Sequence, residues 1–166
     1  MVRIVLMSMG AAIAYGVLHD QVSARICVEY FTVAHPPIFG TDDPTLLGLG
    51  WGVFATWWVG LFLGVLLALA ARAGERPKRD AAWLSRPLLW LMAFIATTAL
   101  LSGLAGWAAA SSGIVTLSES LSMDIPTHKH VPFLAVAWAH AASYLVGAAG
   151  GLVLIARAWR SRRARS

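Results

Sequence analysis

The chain has 166 residues, 58% of them hydrophobic and 13% charged, against about a quarter charged in an ordinary soluble domain. So much apolar surface does not fit inside a soluble core of this length, and the composition predicts a single all-α integral membrane domain. The net charge of +5 does not point to nucleic acid, because the basic residues stand at the ends of apolar runs and in the C-terminal tail, where membrane topology puts them.

Four apolar runs follow in chain order. The first, Val2 to Leu18, is short for a span of about 20 residues; it crosses a bilayer only if the helix continues through His19, Asp20 and Gln21, which predicts a helix over about 2–24. A rival reading is a signal peptide, with Ala12-Ile13-Ala14 resembling a cleavage box. The outward segment, about 25–45, is polar and titratable, with Arg25 and Glu29 spaced to pair on a helix. Its Cys27 is the only cysteine, so it forms no internal disulfide and reads as a small apolar filler.

The second run predicts a helix over about 46–71. It carries a small residue at every fourth position, Gly48, Gly52, Thr56, Gly60, Gly64 and Ala68, the signature of close backbone approach between membrane helices. That stripe predicts an intimate helix pair, and Gly48, Gly52, Gly60 and Gly64 are also a candidate contact for a homo-oligomer or another membrane partner. The third helix is expected over about 87–110, followed by an outward segment over about 111–130. The fourth is expected over about 131–156, with Ala137, His140, Ser143, Tyr144, Gly147 and Gly151 on one face, and a basic tail over 157–166. The four together predict a transmembrane four-helix bundle.

Eleven of the thirteen Lys and Arg residues fall before the first run, between the second and third, or in the tail. Six of the eight acids fall on the opposite side. The bias predicts cytoplasmic N and C termini and outward-facing polar segments.

The five His residues are the candidate chemistry. His140 lies inside the fourth run on its small-residue face, and an ionisable group inside a membrane segment is a functional hypothesis by default. It stands seventeen residues before Arg157, and His19 stands sixteen after Arg3. At about 1.5 Å per residue both reach roughly 25 Å above the inner boundary, with Thr56 and Ser102 near the same level. Two imidazoles at one depth can hold a transition metal, or a haem iron from opposite sides; Asp20 can serve as a ligand or orient an imidazole. His128 and His130, in the His-Lys-His segment above, are further candidate ligands. Three uses of this layer stay open: metal or haem binding, a transporter or channel path, and hydrogen bonds that tie the helices of a structural or accessory subunit together. No catalytic arrangement is legible, since Ser23 is too near His19 and Asp20 in sequence for a hydrolase triad.

The run YGVLHDQVSARICVEYFTVAHPPIF, followed by LGLGWGVFATWWVGL, resembles a family of small bacterial membrane proteins with the core HDQ-x-x-x-R-x-C-V-E-Y-F. The resemblance covers roughly residues 15–65. It brings no activity with it and implies a bacterial inner-membrane location.

Overall fold

A computed structural model describes residues 1–163; Arg165 of the expected basic tail lies outside the described residues. Helix α1 is Val2–Ile26, α2 Glu29–Thr32, α3 Pro44–Phe54, α4 Trp57–Arg72, α5 Ala81–Ser111 and α6 Glu119–Asp124. A 3-10 turn, Thr127–Lys129, leads into α7, His130–Arg160. Among the described residues there is no strand. Four stretches are long and apolar enough to cross a membrane: Val2–Ile26, Pro44–Arg72, Ala81–Ser111 and Thr127–Arg160. Their outer faces are apolar, with Leu89, Leu145 and Val153 each about two-thirds exposed or more. In water such faces would be costly; against lipid they are matched.

The helix limits differ from the expected ones where local hydrogen bonding outweighs the apolar pattern. The third long helix starts at Ala81, ahead of Pro87, because Asp80 caps it by accepting from the Trp83 amide at 2.9 Å. Pro87 therefore sits inside the helix rather than at its start. The second run is two helices. At the break the Thr56 amide donates to Val53 O, and the Thr56 hydroxyl donates to Gly52 O in its place. A Thr hydroxyl bonded four residues back is a known cause of helix bending. Arg25 does not pair with Glu29, because α1 ends at Ile26 and Cys27 is extended, which takes Glu29 off the helical register. Arg25 instead donates to Gln21 and Thr45, and Glu29 pairs with Lys129 at 3.4 Å.

Helix α1 packs along α3 and α4, α5 packs along α7, and contact between α4 and α7 joins the two pairs. The small-residue stripe is the α1 seam. A Cβ on Gly52 would lie 2.5 Å from Val17 Cα and one on Gly60 2.7 Å from Met9 Cα, closer than real side chains come, and one on Gly48 would lie 3.0 Å from Asp20 O, a tight contact. Gly48, Gly52, Gly60 and Gly64 thus lie against α1 of the same chain.

The start of α1 and the end of α7 lie at one end of the bundle, where Ile4, Leu67, Ala71, Leu84, Leu88, Leu154 and Ala158 belong to the main apolar core. Arg162, fully buried, clasps that end. Its guanidinium donates to Ala70 O at 2.8 Å, Ala73 O at 2.6 Å, Pro77 O at 2.7 Å and Arg76 O at 3.2 Å. These are carbonyls of the last turn of α4 and the loop beyond it, groups left without partners by the helix itself and negative by its dipole.

Candidate functional site

Toward the other end of the bundle, away from the start of α1 and the end of α7, these two helices meet through polar side chains. Gly16, Asp20 and Ala24 recur every fourth residue on the buried face of α1. On α7 the buried row includes Phe133, Val136, His140 and Ser143. The crossing brings Asp20 to His140, with Oδ1 and Nε2 3.1 Å apart and both side chains buried. His19, half-buried beside Asp20, sets its Nε2 3.4 Å from His140 Nδ1, with the two ring centroids 4.5 Å apart.

Val136 O fixes the orientation of His140. It lies 2.9 Å from Nδ1, and a carbonyl only accepts, so Nδ1 carries the hydrogen. Nε2 faces the carboxylate of Asp20, which also only accepts, so the contact is a hydrogen bond when Nε2 carries a hydrogen, and Nε2 can ligate a metal only once that hydrogen has left. A ring held this way, with one N–H on a backbone carbonyl and the other nitrogen aimed at a shared point, is how protein metal sites orient their imidazoles.

His19, Asp20 and His140 each offer one ligand atom within 4.8 Å of the others. Around a zinc-sized ion, ligand atoms about 2.1 Å from the metal stand roughly 3.4 Å apart. The Asp20–His140 edge is already near that, and turning the half-buried His19 ring can bring in the third. The donor set, two imidazoles and a carboxylate without thiolate, suits zinc, copper(II), nickel or iron(II). A haem held between the two imidazoles does not fit: a porphyrin needs a slot between facing rings, and these rings meet at an interplanar angle of 68° with nitrogens 3.4 Å apart.

The other expected ligands stand elsewhere. His128 is exposed on the 3-10 turn, and His130 turns its Nε2 to Ile125 O at 2.9 Å. Thr56 and Ser102 lie within about one turn of the layer yet bond to Gly52 O and Trp138 O, not to a histidine.

Several surrounding residues were not singled out by sequence reasoning. Tyr15 stacks under His19 with centroids 5.6 Å apart, and its hydroxyl donates to Ser143 Oγ at 2.7 Å, since that oxygen's own hydrogen goes to Ala139 O. Tyr15 is one turn before His19 and Ser143 one turn after His140, a spacing that marks both as neighbours. The rings of Tyr30 and Phe31 roof His140 at centroid distances of 4.5 and 5.9 Å. No helical spacing reaches them, because the chain turns at Cys27.

Outside the roof, the α1–α2 corner is tied to the start of α7. The Cys27 thiol, fully buried, donates to Glu29, and Glu29 pairs with Lys129. Burial, and next the hydrogen bond to Glu29, push the Cys27 thiol up to about 11. For Glu29 burial acts upward, but its own backbone amide, the Cys27 thiol and Lys129 outweigh it and hold the carboxyl below its usual value.

The chain matches no family model, no curated protein and no solved structure.

Proposed function

We propose that this is a multi-pass membrane protein that holds one divalent transition-metal ion in its outer half, through His19, Asp20 and His140. The observation that carries the reading is the orientation of His140. Its Nδ1–H is occupied by Val136 O and its Nε2 is turned to Asp20, with His19 alongside. A bound ion would supply Lewis acidity and an open position for water or an outside ligand. The bias of Lys and Arg supports cytoplasmic termini with α2, α6 and the site on the outer side, and the family resemblance of residues 15–65 supports a bacterial inner membrane, which would turn that side to the periplasm.

A conduit is less well supported. Below Tyr15 and Ser143 the bundle is filled by the apolar core around Ile4, Leu67, Leu88 and Leu154. A second reading has one observation in its favour: every buried side-chain nitrogen or oxygen among the described residues has a hydrogen-bond partner. The same three residues would then serve only to fasten α1 to α7.

Equilibrium dialysis of the detergent-solubilised full chain against Co2+ and Zn2+ separates the two. The metal reading expects one saturable ion per chain, lost in His140→Leu and Asp20→Asn. Saturation indistinguishable between wild type and both variants, or no binding at all, leaves the fastening role.

A further inference from the structure

Where α1 starts and α4 ends, a surface groove of about 230 Å³ runs between the two helices, lined by Met1, Val2, Val5, Leu6, Val65 and Ala68. All six side chains are apolar, and Val2 and Leu6 are more than half exposed. On α4, Val65, Ala68 and Arg72 are three and four residues apart, so Arg72 continues the groove face one turn toward the loop. Arg72 is half-buried, and among the described residues its guanidinium makes one hydrogen bond, a long one of 3.4 Å from Nη1 to Arg79 O. The other arginines of this corner are engaged. Arg76 lies 4.8 Å over Trp159, Arg79 lies 4.9 Å over Trp83 and donates to Ser161 O, and Arg162 holds its four carbonyls. Only Glu75 and Asp80 are acidic at this end, and no cation here pairs with a carboxylate among the described residues. Trp83 and Trp159 are the kind of residue that marks headgroup depth in a bilayer.

We propose that this groove seats an acyl chain of an anionic phospholipid, with the lipid phosphate held at the rim by Arg72. The inference rests on the membrane-spanning reading above and not on the metal ion. An apolar groove alone would accept a chain from any lipid. The guanidinium at its rim adds the selection: it presents a fork of N–H donors that matches two phosphate oxygens, and Arg3, exposed beside Val2, adds positive charge. A zwitterionic headgroup carries its own ammonium into this field of unpaired cations and loses the attraction that an anionic one keeps.

Native mass spectrometry of the full chain, stripped of lipid in detergent and titrated with phosphatidylglycerol or phosphatidylcholine of identical chains, reads the selection directly. The wild type should bind one phosphatidylglycerol about fivefold more tightly than phosphatidylcholine, the scale of one basic residue acting on an anionic lipid. Arg72→Gln should remove that preference. Arg86→Gln, an equal loss of charge on α5 outside the groove, should keep it. Val65→Trp, at an exposed position that fills the groove, should weaken both lipids, and glycerol phosphate, a headgroup without chains, should not compete. A wild type without preference, a preference that survives Arg72→Gln or is lost equally in Arg86→Gln, undiminished binding in Val65→Trp, or displacement by glycerol phosphate overturns the groove site. A chain that alkaline carbonate washes out of membranes overturns the spanning reading as well.

Discussion

Gly52→Ala tests the link between the helix seam and the site. The added Cβ would lie 2.5 Å from Val17 Cα, 2.6 Å from Val17 N and 2.8 Å from Gly16 C. Comfortable carbon contacts begin at about 3.5 Å, so α1 must move from α3 by roughly 1 Å. These are backbone atoms of a helix and do not rotate aside. His19 and Asp20 follow Val17 within one turn of the same helix and move with it. The Asp20–His140 contact, now 3.1 Å, would be displaced by up to about 1 Å, which spoils its hydrogen-bond geometry and the fit of the three ligand atoms to one ion. Overpacking of this kind costs about 1–3 kcal/mol. Affinity for Co2+ should fall on the order of 10–100-fold, the scale seen when support for metal ligands is lost. The assay is Co2+ titration followed by the visible spectrum, beside a thermal melt. Gly10→Ala is the control, since nothing lies within 4 Å of a Cβ there. A folded Gly52→Ala that binds Co2+ as tightly as wild type refutes the coupling.

Other outcomes follow from single contacts. Arg162→Ala should lower the melting temperature by several degrees, because four carbonyls lose a charged donor worth about 1.5–3 kcal/mol per hydrogen bond before compensation by water; Arg162→Lys should recover only part, since one ammonium cannot reach all four, and a melt unchanged by either variant contradicts the clasp. Glu29 has a folded pKa below its unfolded value of about 4.3, so its stabilisation is complete above that value and fades as pH falls through the lower folded one. The melting-temperature gap between wild type and Glu29→Gln should therefore close between neutral pH and pH 3; a gap that widens on acidification would be the wrong sign. Cys27, raised to about 11, should resist maleimide at pH 7.5 in the folded protein and react once it is denatured in SDS. Equal labelling before and after would mean that the α1–α2 corner is open.

Much of the architecture is legible in the sequence because four apolar runs announce four helices long enough to cross a membrane, the form in which a spanning segment satisfies its own backbone. The depth count from Arg3 and Arg157 brought His19 and His140 to one level, and in the structure their side chains touch. It did not reveal that Asp20 is the closer partner of His140. One residue along a helix turns a side chain by about 100°, and which of two neighbours points inward depends on the crossing of α1 and α7. The small-residue stripe correctly marks a close helix pair, while its partner, α1, depends on which runs lie side by side. The break at Ala55–Thr56 has no proline to announce it. It arises from a hydroxyl competing with an amide for Gly52 O, beside a seam where the α1 backbone lies against Gly52. Tyr30 and Phe31 lie beyond the turn at Cys27, where periodicity ends and only tertiary packing decides.

X-ray absorption at the cobalt or zinc edge of the metal-loaded full chain tests the central claim most directly. Two imidazole nitrogens and one carboxylate oxygen are expected around the ion at about 2.0–2.2 Å, with one imidazole signature missing in His140→Leu. A shell of water oxygens alone, or one that is the same in His140→Leu as in wild type, would contradict it.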